Sequence, residues 1–386
     1  MAKKEKTLPK GIRQKNGTYE ARFMIEGITY YAYGHTVEEA QKAADDIRYE
    51  VGHGLYIKET KIRVNEWFDT WMKEYKENTV KYGTYNCYQS VFDHYIKEAI
   101  GSRLLSEIRP DHIQRVYNNL VKDGYSHKTI SLTAIILGGM FKQAYKNQMI
   151  AKNPAELATI PRNTKKKKEI SVMTKDQQAV FIEYAKDSAY SHLYTVALGT
   201  GMRVGELRAL EWSDIDYQKN VIHVNGTLKY CKGKGYFKDT PKTATSCRDI
   251  PMIPEVVKAL KEQRSEQTRQ RLELGTMWNP EKGMDNFVFT GYYTYHGFGK
   301  NLCSNAINHD LSKVEEQIKI KYPDFPHITP HTLRHTFATR GLENGIPPKV
   351  MQTILGHTSI TMTLDIYSHV LPNTAAAEIM KVSGMF

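Results

Sequence analysis

Thr329-Pro330-His331-Thr332-Leu333-Arg334-His335, then Leu355-Gly356-His357 and then Tyr367, is the stretch on which the reading of this 386-residue chain turns. Thr329 is a good helix N-cap, and Pro330 suits the first helical position, where its missing N–H would have no partner. His331 and Arg334 fall three apart on one helix face near the positive end of its dipole, while Leu333 and Phe337 face a core. A histidine and an arginine at a helix N-terminus suit a phosphate, and a tyrosine downstream offers a nucleophile. An ordinary amphipathic helix with surface basic residues fits the same letters, and this stretch by itself does not decide between them.

Composition narrows the choice. The length predicts two or three domains. With 54 Lys and Arg against 42 Asp and Glu, the net charge of +12 points to a polyanionic partner, most simply nucleic acid. The 25 tyrosines add hydrogen bonds to phosphate and stacking surfaces. Cys87, Cys231, Cys247 and Cys303 are scattered without a Cys-x-x-Cys pair, so neither a zinc site nor a disulfide framework is expected. No signal peptide and no membrane-length apolar run is seen, and a soluble protein of a reducing compartment is expected.

Upstream of the opening stretch, residues 1–58 read as a small sheet and helix. Tyr19, Ala21, Phe23 and Ile25 alternate with Glu20, Arg22 and Met24, Glu26-Gly27 turns the chain, and Ile28 to Tyr33 alternates again. Thr36-Val37-Glu38-Glu39 opens a helix through about Val51, with Val37, Ala40, Ala44 and Ile47 against the sheet. The other face would show Arg22, Met24, Thr29, Tyr31 and Tyr33, with Arg13 and Lys15 just before it, a surface suited to a DNA major groove. A sheet face that merely meets water is the plainer alternative.

Residues 59–160 change to helical spacing. Val64, Trp67, Phe68, Trp71, Met72 and Tyr75 form one stripe, Tyr88 to Ile96 a second, Pro110 opens a third, and Ser126 caps a fourth that ends before Asn153-Pro154. These aromatics predict an all-α core. Residues 161–169 carry Lys165, Lys166, Lys167 and Lys168, a solvated linker able to lie along phosphates.

Residues 170–386 hold the remaining chemistry. Thr200-Gly201-Met202-Arg203 leads to Glu206, three positions on: either a surface ion pair or an arginine held by its carboxylate for bidentate phosphate binding. Val221 to Leu228 and Asp249 to Ile253 predict strands around a polar, Lys- and Gly-rich insertion ending in Pro241-Lys242-Thr243. Glu255 to Leu274 predicts a long charged helix, and Asn301 to Tyr322 another.

Thr200-Gly201-Met202-Arg203 with Glu206-Leu207, Pro241-Lys242-Thr243, His331-x-x-Arg334-His335, Leu355-Gly356-His357 and Tyr367 occur in the order of tyrosine recombinases, the phage integrase family. The whole chain resembles that family, and its layout is most similar to integrases of conjugative transposons and related temperate phages. The resemblance implies a multidomain α+β fold: a three-stranded sheet plus helix binding arm-type sites, an all-α core-binding domain, and a mainly helical catalytic domain with a small antiparallel sheet. It implies that Tyr367 attacks a phosphodiester and stays joined to the 3′-phosphate. Arg203 and Arg334 would hold the non-bridging oxygens, Lys242 would protonate the leaving 5′-oxygen, His331 would accept or orient the tyrosine proton, and His357 would hydrogen-bond the phosphate. Glu206 would support Arg203, and His335 receives no chemical role.

The same resemblance implies no cofactor: neither a metal, since two arginines do its electrostatic work, nor ATP, since the phosphotyrosine bond keeps the energy of the broken linkage. The partners it implies are double-stranded DNA with core-type and arm-type sites, a homo-tetramer on synapsed DNA, an excisionase and a host DNA-bending protein, all in a bacterial cytoplasm. The tail after Tyr367 is expected to pack on a neighbouring subunit, the alternative being its own domain. Two other functions compete: a type IB topoisomerase, which relaxes one duplex, and a non-catalytic DNA-binding protein. The complete residue set argues against the latter, and the separate first module and tail argue for recombination over relaxation.

Overall fold

A computed structural model describes residues 8–53, 61–162, 171–231, 235–239, 247–293 and 297–366. Lys165 to Lys168, Lys242, Tyr367 and the tail after it lie outside the described residues. The chain divides into two compact units, Met1–Lys166 and Lys167–Phe386.

The first unit opens with an antiparallel meander of β1 (Ile12–Lys15), β2 (Thr18–Ile25) and β3 (Ile28–Gly34), followed by α1 (Val37–Gly52). Both turns are two-residue loops in which both residues have positive φ, Asn16-Gly17 (50° and 81°) and Glu26-Gly27 (47° and 82°). That conformation matches the strand twist and favours Asn and Gly. The predicted hairpin is therefore present, with a third strand ahead of it that the alternation did not reveal. Thr36 caps α1, and Ala21, Ala32, Ala40 and Ala44 form a tight core. Arg22, Met24, Tyr31 and Tyr33 stay exposed on the other face, as expected. Glu20 does not: it is buried, accepting from Arg13 Nε at 2.7 Å. Arg13 from the neighbouring strand supplies the partner that a buried carboxylate needs, and it spends part of its charge there.

The helices of the same unit are α2 (Val64–Trp71), α3 (Tyr82–Val91), α4 (Lys97–Ile100), α5 (Pro110–Lys122) and α6 (His127–Lys146). The two stripes read as single helices each contain a wide π turn, Met72–Lys76 after α2 and Phe92–Ile96 after α3. One extra residue per turn resets the helical phase inside an aromatic run without breaking the helix. Trp67 Nε1 donates to Met140 O at 2.9 Å, and Phe68 stacks on Phe92 with centroids 3.6 Å apart. Ser126 caps α6 as read, accepting from Thr129 N.

In the second unit α7 (Lys175–Ala185), α8 (Ser191–Thr200) and α9 (Val204–Arg208) precede the strands β4 (Ile215–Asp216), β5 (Val221–Val224), β6 (Thr227–Cys231), β7 (Gly235–Asp239) and β8 (Arg248–Pro251). Then come α10 (Pro254–Leu274), β9 (Thr290–Tyr293), β10 (Gly297–Asn301), α11 (Ser304–Lys321), α12 (Pro330–Glu343) and α13 (Pro348–Leu355). The strands make a three-stranded sheet β4-β5-β8 and two separate hairpins, β6-β7 and β9-β10. The expected single strand over 221–228 is thus two strands in different sheets, divided at Asn225-Gly226. A Cβ on Gly226 would come 2.6 Å from the Lys238 side chain, which would have to move to admit one. Ile222, Val224, Ile250, Val256 and Leu260 tie the sheet and α10 to a core shared with α8, α11 and Leu333 of α12. No helix among the described residues is long and apolar enough to cross a membrane.

Candidate active site

Three chain segments, joined by Arg248 of β8, meet at the C-terminal end of α13. The first starts where α8 stops. Gly201 takes a left-handed φ of 63° and turns the chain into α9, whose N-cap is Arg203. Glu206, in the first turn of α9, reaches back to accept from Arg203 N at 2.8 Å and from Arg203 Nη1 at 2.8 Å. The pairing predicted from their spacing is present, but it is no surface ion pair: the Glu206 side chain is only 7% exposed. Burial of that carboxyl works against its charge, yet hydrogen bonds from Arg248, its charge and those of Arg203 outweigh burial and hold it below the usual carboxylate range.

The second segment is α12. Thr329 caps its start with Pro330 at the first position, as their order predicted, and Thr332 Oγ1 accepts in return from Thr329 N. The loop before it is pinned by buried Glu315, which accepts from Ile328 N at 3.0 Å and bonds His327 Nδ1 at 2.8 Å. Arg334 is buried, donating through Nη1 to Gly201 O and through Nη2 to Leu355 O, both at 2.7 Å. Burial and the charge of Arg203 lower it to about 9, which leaves it cationic at neutral pH. His331 lies exposed on the same helix. Partial loss of hydration against the protein, then Arg334 and Arg203, lower its pKa below the imidazole norm, so it is neutral and able to accept a proton at pH 7.

The third segment is the end of α13 and the chain beyond. Gly356 caps the helix with φ 61°. Its last carbonyls each receive a different arginine: Ile354 O from Arg248 Nε at 2.5 Å, Leu355 O from Arg334, and Gly356 O from Arg203 Nη2 at 2.9 Å. These are the carbonyls a helix end leaves without internal partners, at the negative end of its dipole. His357 follows, buried, with Nδ1 2.9 Å from Thr363 Oγ1. Burial first, and then Arg334 and Arg203, lower it to about 3, so it is a neutral imidazole at pH 7. A helical turn over 360–366 ends with buried Ile366 in a cluster with Leu355 and Met351, immediately before Tyr367.

Of the predicted site residues, Arg203, Glu206, His331, Arg334 and His357 are brought together. Lys242 and Tyr367 lie outside the described residues; β7, the strand that precedes Lys242 in the sequence, is anchored by Lys238, 3.2 Å from both Glu211 and Asp214. Arg13, Lys15, Arg22 and Tyr31 belong to the other unit. His335 sits with its ring 6.2 Å from that of His331, lowered to about 4 by burial, then by His331 and Arg334. Reading the sequence missed Arg248, Thr363 and the carbonyls of α13. A signal for Arg248 existed: in β8 it alternates inward with Ile250, and an arginine on a core-facing position needs a buried partner. Among the described residues no cluster of three or more His, Cys, Asp or Glu has the arrangement of a metal site.

Residues 171–374 match the phage integrase family, and residues 64–121 match the phage integrase N-terminal SAM-like domain. The chain belongs to the phage integrase family of tyrosine recombinases. A tyrosine recombinase XerC-like protein of Caldanaerobacter subterraneus subsp. tengcongensis is 30% identical over 368 residues, 92% of this chain and 91% of the relative. The transposase from transposon Tn916 of Enterococcus faecalis is 29% identical over 295 residues, 74% and 69% of the two chains. In structure, the Tn1549 transposon integrase, solved with transposon right-end DNA, aligns with a TM-score of 0.69 at 25% identity over 84% of this chain and all of that one. This family member therefore stands close to conjugative transposon integrases and is an enzyme of site-specific DNA cleavage and rejoining.

Proposed function

We propose that the chain integrates and excises a mobile element through a covalent 3′-phosphotyrosine intermediate formed by Tyr367, with neither metal nor ATP. The observation that carries this reading is the excess of fixed positive charge at the end of α13, where Arg203 and Arg248 bond one carboxylate, Glu206, and Arg334 lies within its field, held by backbone carbonyls. A phosphodiester arrives with one negative charge and gains a second as a phenolate adds to phosphorus. A site with surplus cations already in place stabilises that gain with little rearrangement. Phenol has a pKa near about 10 and needs a base, which the neutral His331 supplies. His357 donates to a phosphate oxygen, and Lys242 returns a proton to the departing 5′-oxygen.

Residues 1–58 would bind arm-type sites through Lys15, Arg22 and Tyr31, with a lesser share for Arg13; residues 59–160 would bind the core site, and Lys165 to Lys168 in the linker at 161–169 would follow the phosphates. Residues 170–386 would carry the chemistry, and the tail would pack on a neighbour in a tetramer on synapsed DNA, with an excisionase and a host bending protein setting direction. The proposed setting is the bacterial cytoplasm.

The test uses a nicked duplex selected from a random-sequence library for capture by the wild-type chain. Wild type should leave an SDS-resistant adduct, and Tyr367→Phe should leave none while retaining DNA affinity, since one hydroxyl is lost. Failure of wild type to form an adduct on any duplex would refute the reading. Adding a second duplex separates strand exchange from relaxation. The second-order cleavage constant should also hold as pH falls past about 6.5, because it reports the free enzyme and His331 must be neutral to work. It should then decline as His331 protonates at its lowered pKa; a decline centred above 6.5 would exclude His331 as the base.

A further inference from the structure

We propose that Arg248 is a positioning residue of the phosphate site, one that occupies Glu206 so that Arg203 remains turned towards DNA, and that anchors the chain leading to Tyr367. The inference rests on the recombinase reading above and adds a residue to it.

The Glu206 carboxylate is saturated. Oε1 takes Arg203 Nη1 at 2.8 Å and Arg248 Nη1 at 3.1 Å; Oε2 takes the Arg203 backbone N–H and Arg248 Nη2, each at 2.8 Å. Four donors fill the roughly four lone-pair positions of a carboxylate. Arg203 therefore meets Glu206 with one guanidinium N–H, and its Nη2 donates to Gly356 O. Its side chain is 34% exposed, whereas that of Arg248 is 3% exposed. The buried arginine takes the fork geometry, and the exposed one keeps donors for a ligand.

Removal of Arg248 would vacate two acceptor positions on a buried carboxylate. The nearest cation able to fill them is Arg203, whose fork would close on Glu206 and turn away from the phosphate. The same loss would leave Ile354 O without its arginine, beside Gly356, where a Cβ would already meet Arg248 Nη1 at 3.0 Å. Arg248 thus couples the start of α9 to the end of α13 without itself touching DNA.

The experiment measures single-turnover adduct formation, DNA affinity and thermal unfolding for full-length wild type, Arg248→Met, Arg248→Lys, Glu206→Gln and the Arg248→Met/Glu206→Gln pair, on the captured duplex. Arg248→Met should bind DNA within about threefold of wild type and cleave about 10²-fold more slowly, the scale of a small misplacement of a reacting group. Arg248→Lys keeps the charge but cannot fork both oxygens, and should lose at least about tenfold. Because Arg248 acts through Glu206, the double variant should be no more than about threefold slower than the slower single variant. Multiplying losses would overturn the proposal, as would wild-type cleavage by Arg248→Lys. Should Arg248→Met fail to fold, Arg248→Lys decides alone. No adduct from wild type would instead refute the recombinase reading, a separate outcome.

Discussion

Arg334→Lys is expected to slow DNA cleavage by about 10²- to 10³-fold, although the charge is kept, the range seen when one preorganised donor to a developing oxyanion is lost. Arg334 is buried and bridges Gly201 O and Leu355 O with two nitrogens of one rigid plane, each 2.7 Å from its acceptor. A single ammonium cannot reach both carbonyls in that geometry and still present a donor to phosphate. One buried carbonyl would be left unsatisfied, costing about 1–3 kcal/mol of stability. Single-turnover adduct formation beside a DNA-binding titration measures the split: cleavage should fall while affinity changes little. A lysine variant cleaving within tenfold of wild type would show that charge alone suffices at this position.

A large stability effect is expected at Gly201. Its φ of 63° already disfavours any side chain, and a Cβ there would lie 2.4 Å from Phe337 Cδ1 and 2.8 Å from Leu355 Cδ2. Left-handed strain of about 1–3 kcal/mol and overpacking of similar size predict a loss of about 3 kcal/mol or more for Gly201→Ala. For a unit of this size, that corresponds to a fall in Tm of roughly 10 °C. Gly345→Ala is the control: its φ is 84°, but nothing lies within 4 Å of a Cβ, so it carries strain alone. Calorimetry of the two should therefore rank Gly201→Ala well below Gly345→Ala. Equal losses would assign the whole effect to backbone conformation. Gly201→Ala should also lose cleavage, because the displaced carbonyl is the one Arg334 holds.

What could be read from the letters was local. The start of α12 was legible because Thr329 and Pro330 act within one turn, and the Arg203–Glu206 pair because three residues separate its members. What depended on burial or distant partners was not. Whether Arg203 and Glu206 form a surface pair or a held arginine is decided by Arg248, 42 residues further on. The strand predicted from Asp249 begins one residue earlier, at Arg248, because an arginine looks like a loop residue until its buried partner is known. The hairpins β6-β7 and β9-β10 escaped notice since short ribbons rich in Gly, Lys and Tyr have no continuous apolar face to announce them. Glu20 was placed on the exposed face by alternation and buried by Arg13, from a strand the pattern did not show.

The end of α13 has a bearing on how such a site drifts over generations. Three arginines are held there by backbone oxygens, and a backbone oxygen is present whatever the side chain. Position 354 is therefore open to replacement by residues that keep the helix and its packing against the main core, and position 355 by any apolar residue that fits the small cluster beneath it. What cannot be exchanged is the place where the helix stops, fixed by Gly356. In descendants of this sequence, that stop and the arginines that answer to it would travel together while the letters just before it wander.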